Sequence, residues 1–282
     1  MIFNNSNESD MEIELEELNE LSNAILTKYG FDFTNYAQAS FKRRILMVIK
    51  KNGIKNVASL IQKIIQDQQF FEQFITDITV NTTELFRDPT FFQVLREQVL
   101  PILNTRPEFN IWHAACSSGE EVISMAILLK EEGMLERAKI YATDINTTVL
   151  KRAAEARYPI RNWDLYKQNY LNSNPKSSLE NYCEIQDNEI KFNKELIQNV
   201  KFKQHDLAVD HHFFKFDLIL CRNVMIYFNQ KLQNRVFELI HNSLFLGGFL
   251  ALGAKESLIW CKIADKFAPF NETEKIFKKI KL

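Results

Sequence analysis

The sequence predicts an α/β protein, a mainly parallel sheet with helices on both faces, preceded by a small all-helical unit. Three observations carry this expectation. Most of the first ninety residues carry their apolar residues at helical spacings. From about Pro107 onward, short apolar runs alternate with amphipathic stretches. Glycine is scarce, at 7 residues in 282, and phenylalanine plentiful, at 23, which disfavours a turn-rich β fold or disorder.

In the helical part, Glu12 to Tyr29 places Ile13, Leu15, Leu18, Leu21, Ile25 and Leu26 on one stripe, with an acidic start that suits the helix dipole and Gly30 to end it. Phe41 to Asn52 reads as a second helix with Phe41, Ile45, Val48 and Ile49 on its apolar face and Lys42, Arg43, Arg44, Lys50 and Lys51 elsewhere. Ala58 to Ile65 and Phe70 to Ile78 read as two short helices. In the α/β part, Asn110 to Cys116 is a strand, Ser117-Ser118-Gly119 a tight turn, and Glu120 to Lys130 a helix. Lys139 to Ile145 is a second strand and Thr147 to Ala156 its helix; Phe216 to Cys221 is a later strand, Gln230 to Phe245 a helix, and Gly247 to Gly253 a further strand. Between Arg157 and Asn199 the alternation stops, and the segment reads as an inserted subdomain. The expected organisation is an acidic tail over 1–11, a helical domain with linker over 12–92, and the α/β domain over 93–282 with the insertion at about 157–199.

Composition excludes several classes. Lys and Arg number 35 and Asp and Glu 36, a formal net charge of −1, so no global field draws the chain to nucleic acid or membrane. No segment approaches the roughly 20 apolar residues of a membrane span, and the polar, acidic start is not expected to be a signal peptide. Cys116, Cys183, Cys221 and Cys261 are scattered with no CxxC pair, as for reduced, buried thiols in the cytoplasm. His211 and His212 lack partners at metal-ligand spacing, so no metal is expected.

Ligands of open α/β sheets bind outside the carboxyl ends of the strands, where strand order reverses. Cys116-Ser117-Ser118-Gly119 is such a strand-to-helix turn, but it holds one glycine where a dinucleotide motif needs three. Glu120 and Glu121 follow it; two carboxylates at a helix start repel phosphate and suit a ligand with a sulfonium or ammonium charge, which points to S-adenosylmethionine. Asp144 ends the next strand, where an acid can accept both ribose hydroxyls of an adenosine.

Four motifs then resemble the CheR-type methyltransferases of chemotaxis receptors: Asn81-Thr82-Thr83-Glu84-Leu85-Phe86-Arg87-Asp88, Ala114-Ala115-Cys116-Ser117-Ser118-Gly119-Glu120-Glu121, Ala142-Thr143-Asp144-Ile145, and Cys221-Arg222-Asn223-Val224-Met225-Ile226-Tyr227-Phe228. Their order and spacing fit from about Glu12 to Ile280. The basic Phe41-Lys42-Arg43-Arg44-Ile45 segment resembles that family's second helix. The resemblance implies an all-α N-terminal domain joined to a class I S-adenosylmethionine-dependent methyltransferase domain, with the cofactor between them. It further implies that Asn81, Thr83 and Arg87 border the cofactor, Glu121 holds its methionine end, Asp144 its ribose, Asp206 and Leu207 its adenine, that Asn223 and Val224 complete the pocket, and that Tyr227 sits near the transferred methyl. The family often has asparagine at the position of Asp206 and tyrosine at that of Ile123, and the late Gly253-Ala254-Lys255-Glu256-Ser257 resembles a variant branch.

The implied reaction moves a methyl group to a receptor glutamate, leaving a methyl ester and S-adenosylhomocysteine. A glutamate is ionised near neutral pH, so alignment and water exclusion matter more than a general base. Arg87 is the candidate for orienting a carboxylate, and Tyr227 for shaping the methyl channel. Lys42, Arg43 and Arg44 are the candidates for docking on acidic receptor helices. The protein is expected to be a monomer that binds neither nucleic acid nor the membrane interior. Two alternatives stay open. One is a methyltransferase for another acceptor, although the Cys221-Arg222-Asn223-Val224 run is not the Asn/Asp-Pro-Pro-aromatic sequence of amine methylation. The other is a cofactor-binding signalling protein without catalysis, kept open by Ile123 and the late motif.

Overall fold

The computed structural model describes residues 12–79 and 82–282; the acidic tail and Asn81 lie outside them. The chain forms two compact units, one ending at Ile78 and one beginning at Thr79.

The described part of the first unit is helical: α1 (Leu15–Tyr29), α2 (Gln38–Lys51), α3 (Val57–Gln66) and α4 (Gln68–Ile78). A capping box of Glu14 and Glu17 opens α1, and Gly30 closes it at φ +79°, donating its N–H to the Leu26 carbonyl. Of the stripe read from the sequence around α1, Ile13, Leu18, Leu21 and Ile25 are buried, whereas Leu15 and Leu26 are exposed; Phe41, Ile45, Val48 and Ile49 of α2 are buried as expected, together with Leu60, Ile64, Phe71 and Phe74 of α3 and α4. Tyr29 stacks on Phe71 at 3.7 Å and donates its hydroxyl to the Ile64 carbonyl at 2.8 Å.

The second unit opens with a helical stretch in three pieces, α5 (Pro89–Val94), a π-helical turn (Leu95–Val99) and α6 (Leu100–Leu103). Sequence reading assigns nothing here, because Pro101 interrupts helical spacing. The wide turn just before it lets Leu100 donate to the Leu95 carbonyl, and the proline, with no N–H to offer, follows. Then come β1 (Phe109–Ala114), α7 (Glu120–Glu131), β2 (Ala138–Asp144), α8 (Thr147–Glu155), β3 (Arg157–Pro159), α9 (Trp163–Asn172), β4 (Cys183–Gln186), β5 (Glu189–Phe192), β6 (Val200–Gln204), β7 (Phe216–Cys221), α10 (Gln230–Ser243), β8 (Leu244–Leu252), β9 (Phe267–Asn271) and β10 (Ile276–Lys279).

Among the described residues the main sheet has seven strands in the order β6-β2-β1-β7-β8-β10-β9. Neighbours from β6 to β8 are parallel, and β10 runs antiparallel to β8 and β9. This is the class I methyltransferase topology, with one reversed strand inserted near an edge. Chain order reverses at β1, which lies between β2 and β7, so the switch point is at the carboxyl end of β1. Within 157–199, β3, β5 and β4 make a separate antiparallel sheet, joined to the main core through α9. The strand expected over Gly247 to Gly253 begins earlier, at Leu244, and the preceding helix stops at Ser243. The apolar run Leu244-Phe245-Leu246 continues the helical pattern of α10, yet it pairs with β7 through a register shift.

Candidate functional site at the carboxyl ends of the central strands

The turn after β1 is unusual in its backbone. Ala115, Ser117 and Gly119 lie at φ +60°, +50° and +90°; for the first two, left-handed backbone carries a steric cost that must be offset by outside contacts. At Gly119 a side chain is excluded twice, since a Cβ would also come within 2.7 Å of Ala153 Cβ on α8. Asp144, at the end of β2, anchors the turn: Oδ2 accepts the Ser117 N–H at 2.9 Å and Oδ1 the Asn146 N–H at 3.0 Å. Burial pushes its carboxyl up, opposed by the N–H groups of Asn146, Ser117 and Ile145.

Glu121, on the first turn of α7, faces β1 and β7. His113 Nδ1 lies 2.9 Å from Oε1, and Arg222 Nη1 donates to Oε2 at 3.0 Å. Arg222, just beyond β7, also donates through Nη2 to Asp88 at 2.7 Å, and its guanidinium carbon lies over the Phe91 ring, 3.9 Å from the centroid. Burial alone would raise the Glu121 carboxyl; the His113 hydrogen bond and the Arg222 charge outweigh it, and the net shift is downward. Asn223 follows at φ +60°. Its N–H, and those of Met225 and Gly253, all point at the Glu256 carboxylate, at 2.9, 2.7 and 2.6 Å. A Cβ on Gly253 would meet Asn223 N at 2.8 Å, so the glycine lets the late segment close onto this turn. Tyr227 and Val224 are half-buried in the same turn.

Next to Asp144, the His205 N–H bonds the Asp144 carbonyl at 3.1 Å, which brings Asp206 and Leu207, both buried, to the end of β2. Asp206 Oδ1 accepts the Ala208 N–H at 2.8 Å. Thr83 and Arg87 are half-buried in the segment before α5; Arg87 Nη1 donates to the Thr82 carbonyl at 3.3 Å and its own carbonyl faces Arg222. The structure thus gathers Glu121, Asp144, Asp206, Leu207, Asn223 and Val224 at one sheet end, and joins Arg87 to them through Arg222. Lys42, Arg43 and Arg44 lie on α2 of the other unit.

Carboxylates outnumber cations around the crevice. Cys116 and Cys221 register this field: burial pushes both thiols well up, and the charges of Asp144 and Glu121 add to it at Cys116, those of Glu256 and Glu121 at Cys221. All four cysteines are free and buried, and among the described residues no group of His, Cys, Asp and Glu could hold a metal ion.

Sequence reasoning missed Arg222, His113, Asp88 and Glu256 as parts of the site. Arg222 and Asp88 stood inside the quoted motifs, but nothing local marked them as partners.

Comparison with known proteins gives a consistent result. The CheR methyltransferase all-alpha domain matches residues 16–79, and the CheR methyltransferase SAM binding domain matches residues 81–276. The chain is 43% identical over 272 residues to the Cher3 protein of Pseudomonas putida, covering 96% of this chain and 97% of that one. It is 33% identical over 232 residues to a chemotaxis protein methyltransferase of Listeria innocua, covering 82% and 86%. A chemotaxis protein methyltransferase of Borreliella burgdorferi is 33% identical over 275 residues, covering 90% and 93%.

Proposed function

Since the chain belongs to the CheR methyltransferase family and is an S-adenosylmethionine-dependent methyltransferase, we propose that it methylates glutamate carboxylates on the cytoplasmic helices of chemotaxis-type receptors. The relatives named chemotaxis protein methyltransferase support this acceptor.

The observation that carries the placement of the cofactor is the surplus of carboxylates at the switch point. The residues there fit the cofactor's chemistry. A sulfonium is stabilised by the field of Asp144, Glu121 and Glu256, and a nucleotide diphosphate would be repelled by it. Ser117 Oγ is buried, finds no hydrogen-bond partner among the described residues, and sits one residue from Ser118 in the turn; a polar ligand atom would satisfy it. Asp144 is assigned to the ribose, Glu121 to the methionine end, Asp206 and Leu207 to the adenine, and Asn223 and Val224 to the wall between. Thr83 and Arg87 are assigned to the border of the cofactor.

The cofactor supplies an electrophilic methyl. The residues of this chain hold the acceptor carboxylate in line and keep water out. No general base is required, because the acceptor is already an anion near pH 7. Arg87 grips a carboxylate with its guanidinium, and Tyr227 walls the path of the methyl. On α2, Arg43, Met47 and Lys50 are exposed at helical spacing, whereas Lys51 is paired with Asp77 at 2.8 Å and Lys42 faces Glu12 at 3.8 Å. This stripe, with Lys42 and Arg44 at its side, is assigned to docking on acidic receptor helices. None of the described helices is long and apolar enough to cross a membrane, which suits an enzyme reaching its receptor from the cytoplasm.

The test is incubation with methyl-labelled cofactor and receptor-bearing membranes. Label in the receptor, released by mild base as a volatile alcohol, is the expected result; base-stable label would replace the ester by another acceptor chemistry. Asp144→Ala is expected to weaken cofactor binding by tenfold or more in calorimetry, and unchanged affinity would remove Asp144 from the ribose. Charge reversal at Arg43 and Arg44 should slow receptor methylation and spare cofactor affinity.

A further inference from the structure

The turn after β1 holds two non-glycine residues in left-handed backbone, at Ala115 and Ser117. Such a turn keeps its shape only where surrounding bonds over-determine it. One bond comes from Asp144, as described. Two others come from outside the main sheet. Tyr158 of β3 donates its hydroxyl to the Ser118 carbonyl at 2.9 Å. Ser118 Oγ donates to Glu120 Oε2 at 2.8 Å, and the other oxygen of that carboxylate accepts the Tyr166 hydroxyl of α9 at 3.1 Å. Asn162 Nδ2 in turn donates to Tyr166 at 3.1 Å. Glu120 and Tyr166 are buried, at 5% and 1% exposure, so the bond between them is shielded from water, while Ser118 is half-buried.

The same helix reaches three further points. One turn after Tyr166, the Tyr170 hydroxyl donates to Glu131 at the far end of α7, at 2.5 Å, and Arg96 pairs with that carboxylate at 2.5 Å. Asn169 Nδ2 donates to Glu84 at 3.2 Å and to the Leu85 carbonyl at 3.1 Å, in the segment that carries Arg87. α9 therefore grips α7 at both ends and also grips the segment before α5. None of these residues enters the chemistry assigned above.

We infer that Tyr166, acting through Glu120 and Ser118, is a positioning residue for cofactor binding, and that the inserted segment 157–199 thereby sets the shape of the cofactor turn. The inference rests on the placement of the cofactor at this turn. It does not depend on which acceptor is methylated.

A hydrogen bond to a buried carboxylate, once deleted, leaves that group short of a partner. Tyr166→Phe does this and keeps the ring. The Glu120 carboxylate then holds Ser118 less firmly, and the turn loses one of the bonds that fix its shape. Tyr170→Phe deletes the same hydroxyl at the other end of α7, away from the turn, from a carboxylate that keeps Arg96 and Tyr182, and serves as the control.

The experiment is calorimetric titration of S-adenosylmethionine into the full chain and into Tyr166→Phe, Glu120→Gln, their double variant and Tyr170→Phe, with thermal stability measured alongside. Tyr166→Phe and Glu120→Gln are each expected to weaken cofactor binding about tenfold, the size expected for losing one charge-assisted hydrogen bond. The double variant should be no weaker than the worse single, because all act through one chain of bonds. Tyr170→Phe should keep wild-type affinity, because Glu131 lies away from the turn. In turnover, the effect of Tyr166→Phe should fall on the cofactor KM and leave kcat at saturating cofactor within about twofold. Affinity losses that are equal in Tyr166→Phe and Tyr170→Phe, or losses that multiply in the double variant, would overturn the inference. If Asp144→Ala binds the cofactor as tightly as the full chain, the placement of the crevice fails and the inference with it. If Asp144→Ala is weakened but Tyr166→Phe is not, only the inference fails.

Discussion

Arg222→Met tests the electrostatic frame of the crevice. The Arg222 side chain is 3% exposed and bridges Glu121, 18% exposed, and Asp88, 40% exposed. The Asp88 arm faces solvent and contributes less than about 1 kcal/mol. The Glu121 arm is the costly one to break. Removing one partner of a fully buried pair costs ~3–5 kcal/mol, and the remaining His113 bond brings this toward roughly 2 kcal/mol. The cation over Phe91 adds about 1 kcal/mol, part of which the methionine sulfur retains. The sum is a loss of about 3 kcal/mol near neutral pH. The sign of its pH dependence follows from Glu121. In the wild type its folded pKa lies below the ordinary 4.5, so its stabilisation is present above pH 4.5 and is lost as pH falls through the folded value. In the variant, burial acts against the charge without Arg222, so the carboxylate destabilises the fold above its ordinary pKa and is relieved on protonation. The gap between the two proteins must therefore narrow as pH falls toward 4. Urea denaturation followed at the tryptophans reads this directly, because Trp112, Trp163 and Trp260, all 3 in the chain, lie in the second unit. A gap below about 1 kcal/mol at pH 7, or one that stays constant down to pH 4, would refute the reasoning.

Three further outcomes follow from the same geometry. Glu256→Gln replaces one of the two oxygens that receive the N–H groups of Gly253, Asn223 and Met225 by a donor; a loss of about 2–3 kcal/mol is expected, together with weaker cofactor binding, both measurable by thermal shift with and without cofactor. Gly119→Ala is strained at φ +90° and clashes with Ala153; it should lower stability by roughly 2 kcal/mol or more, whereas Gly133→Ala, with open space around its Cβ position, should cost only the left-handed backbone term, about 1 kcal/mol. Burial pushes the Glu120 carboxyl from 4.5 to about 7. Its folded pKa exceeds the unfolded one, so its contribution is fully present below pH 4.5 and is lost as pH rises through 7, on the order of 3 kcal/mol; Glu120→Gln should flatten the stability profile across that window, and an unchanged slope would assign it to another group.

Much of the fold was legible because its signals are local. Helical spacing marks α1 and α2, and the strand-turn-helix passages around Ser118 and Asp144 mark the centre of the sheet. What stayed hidden was short, edge-placed or long-range. In β6, Val200 and Phe202 alternate with Lys201 and Lys203 on an outer strand, a pattern too short to separate from a loop. β9 and β10 are five- and four-residue strands around a polar hairpin. In the site, Glu121 and Asp144 announced themselves by their position after strands. Arg222 and Asp88 are 134 residues apart, and no periodicity couples them; the same holds for Glu256, whose carboxylate substitutes for the backbone acceptors that three N–H groups lack.

The three N–H groups that converge on Glu256 also tie the crevice to the chain beyond β8. Asn223 and Met225 find their acceptor in a residue more than thirty positions later. A chain cut before Gly253 would keep β1, β2 and β7 and lose that carboxylate, leaving the N–H groups of the Asn223 turn without an acceptor. Damage to this late segment would therefore reach the pocket without breaking the strands that frame it.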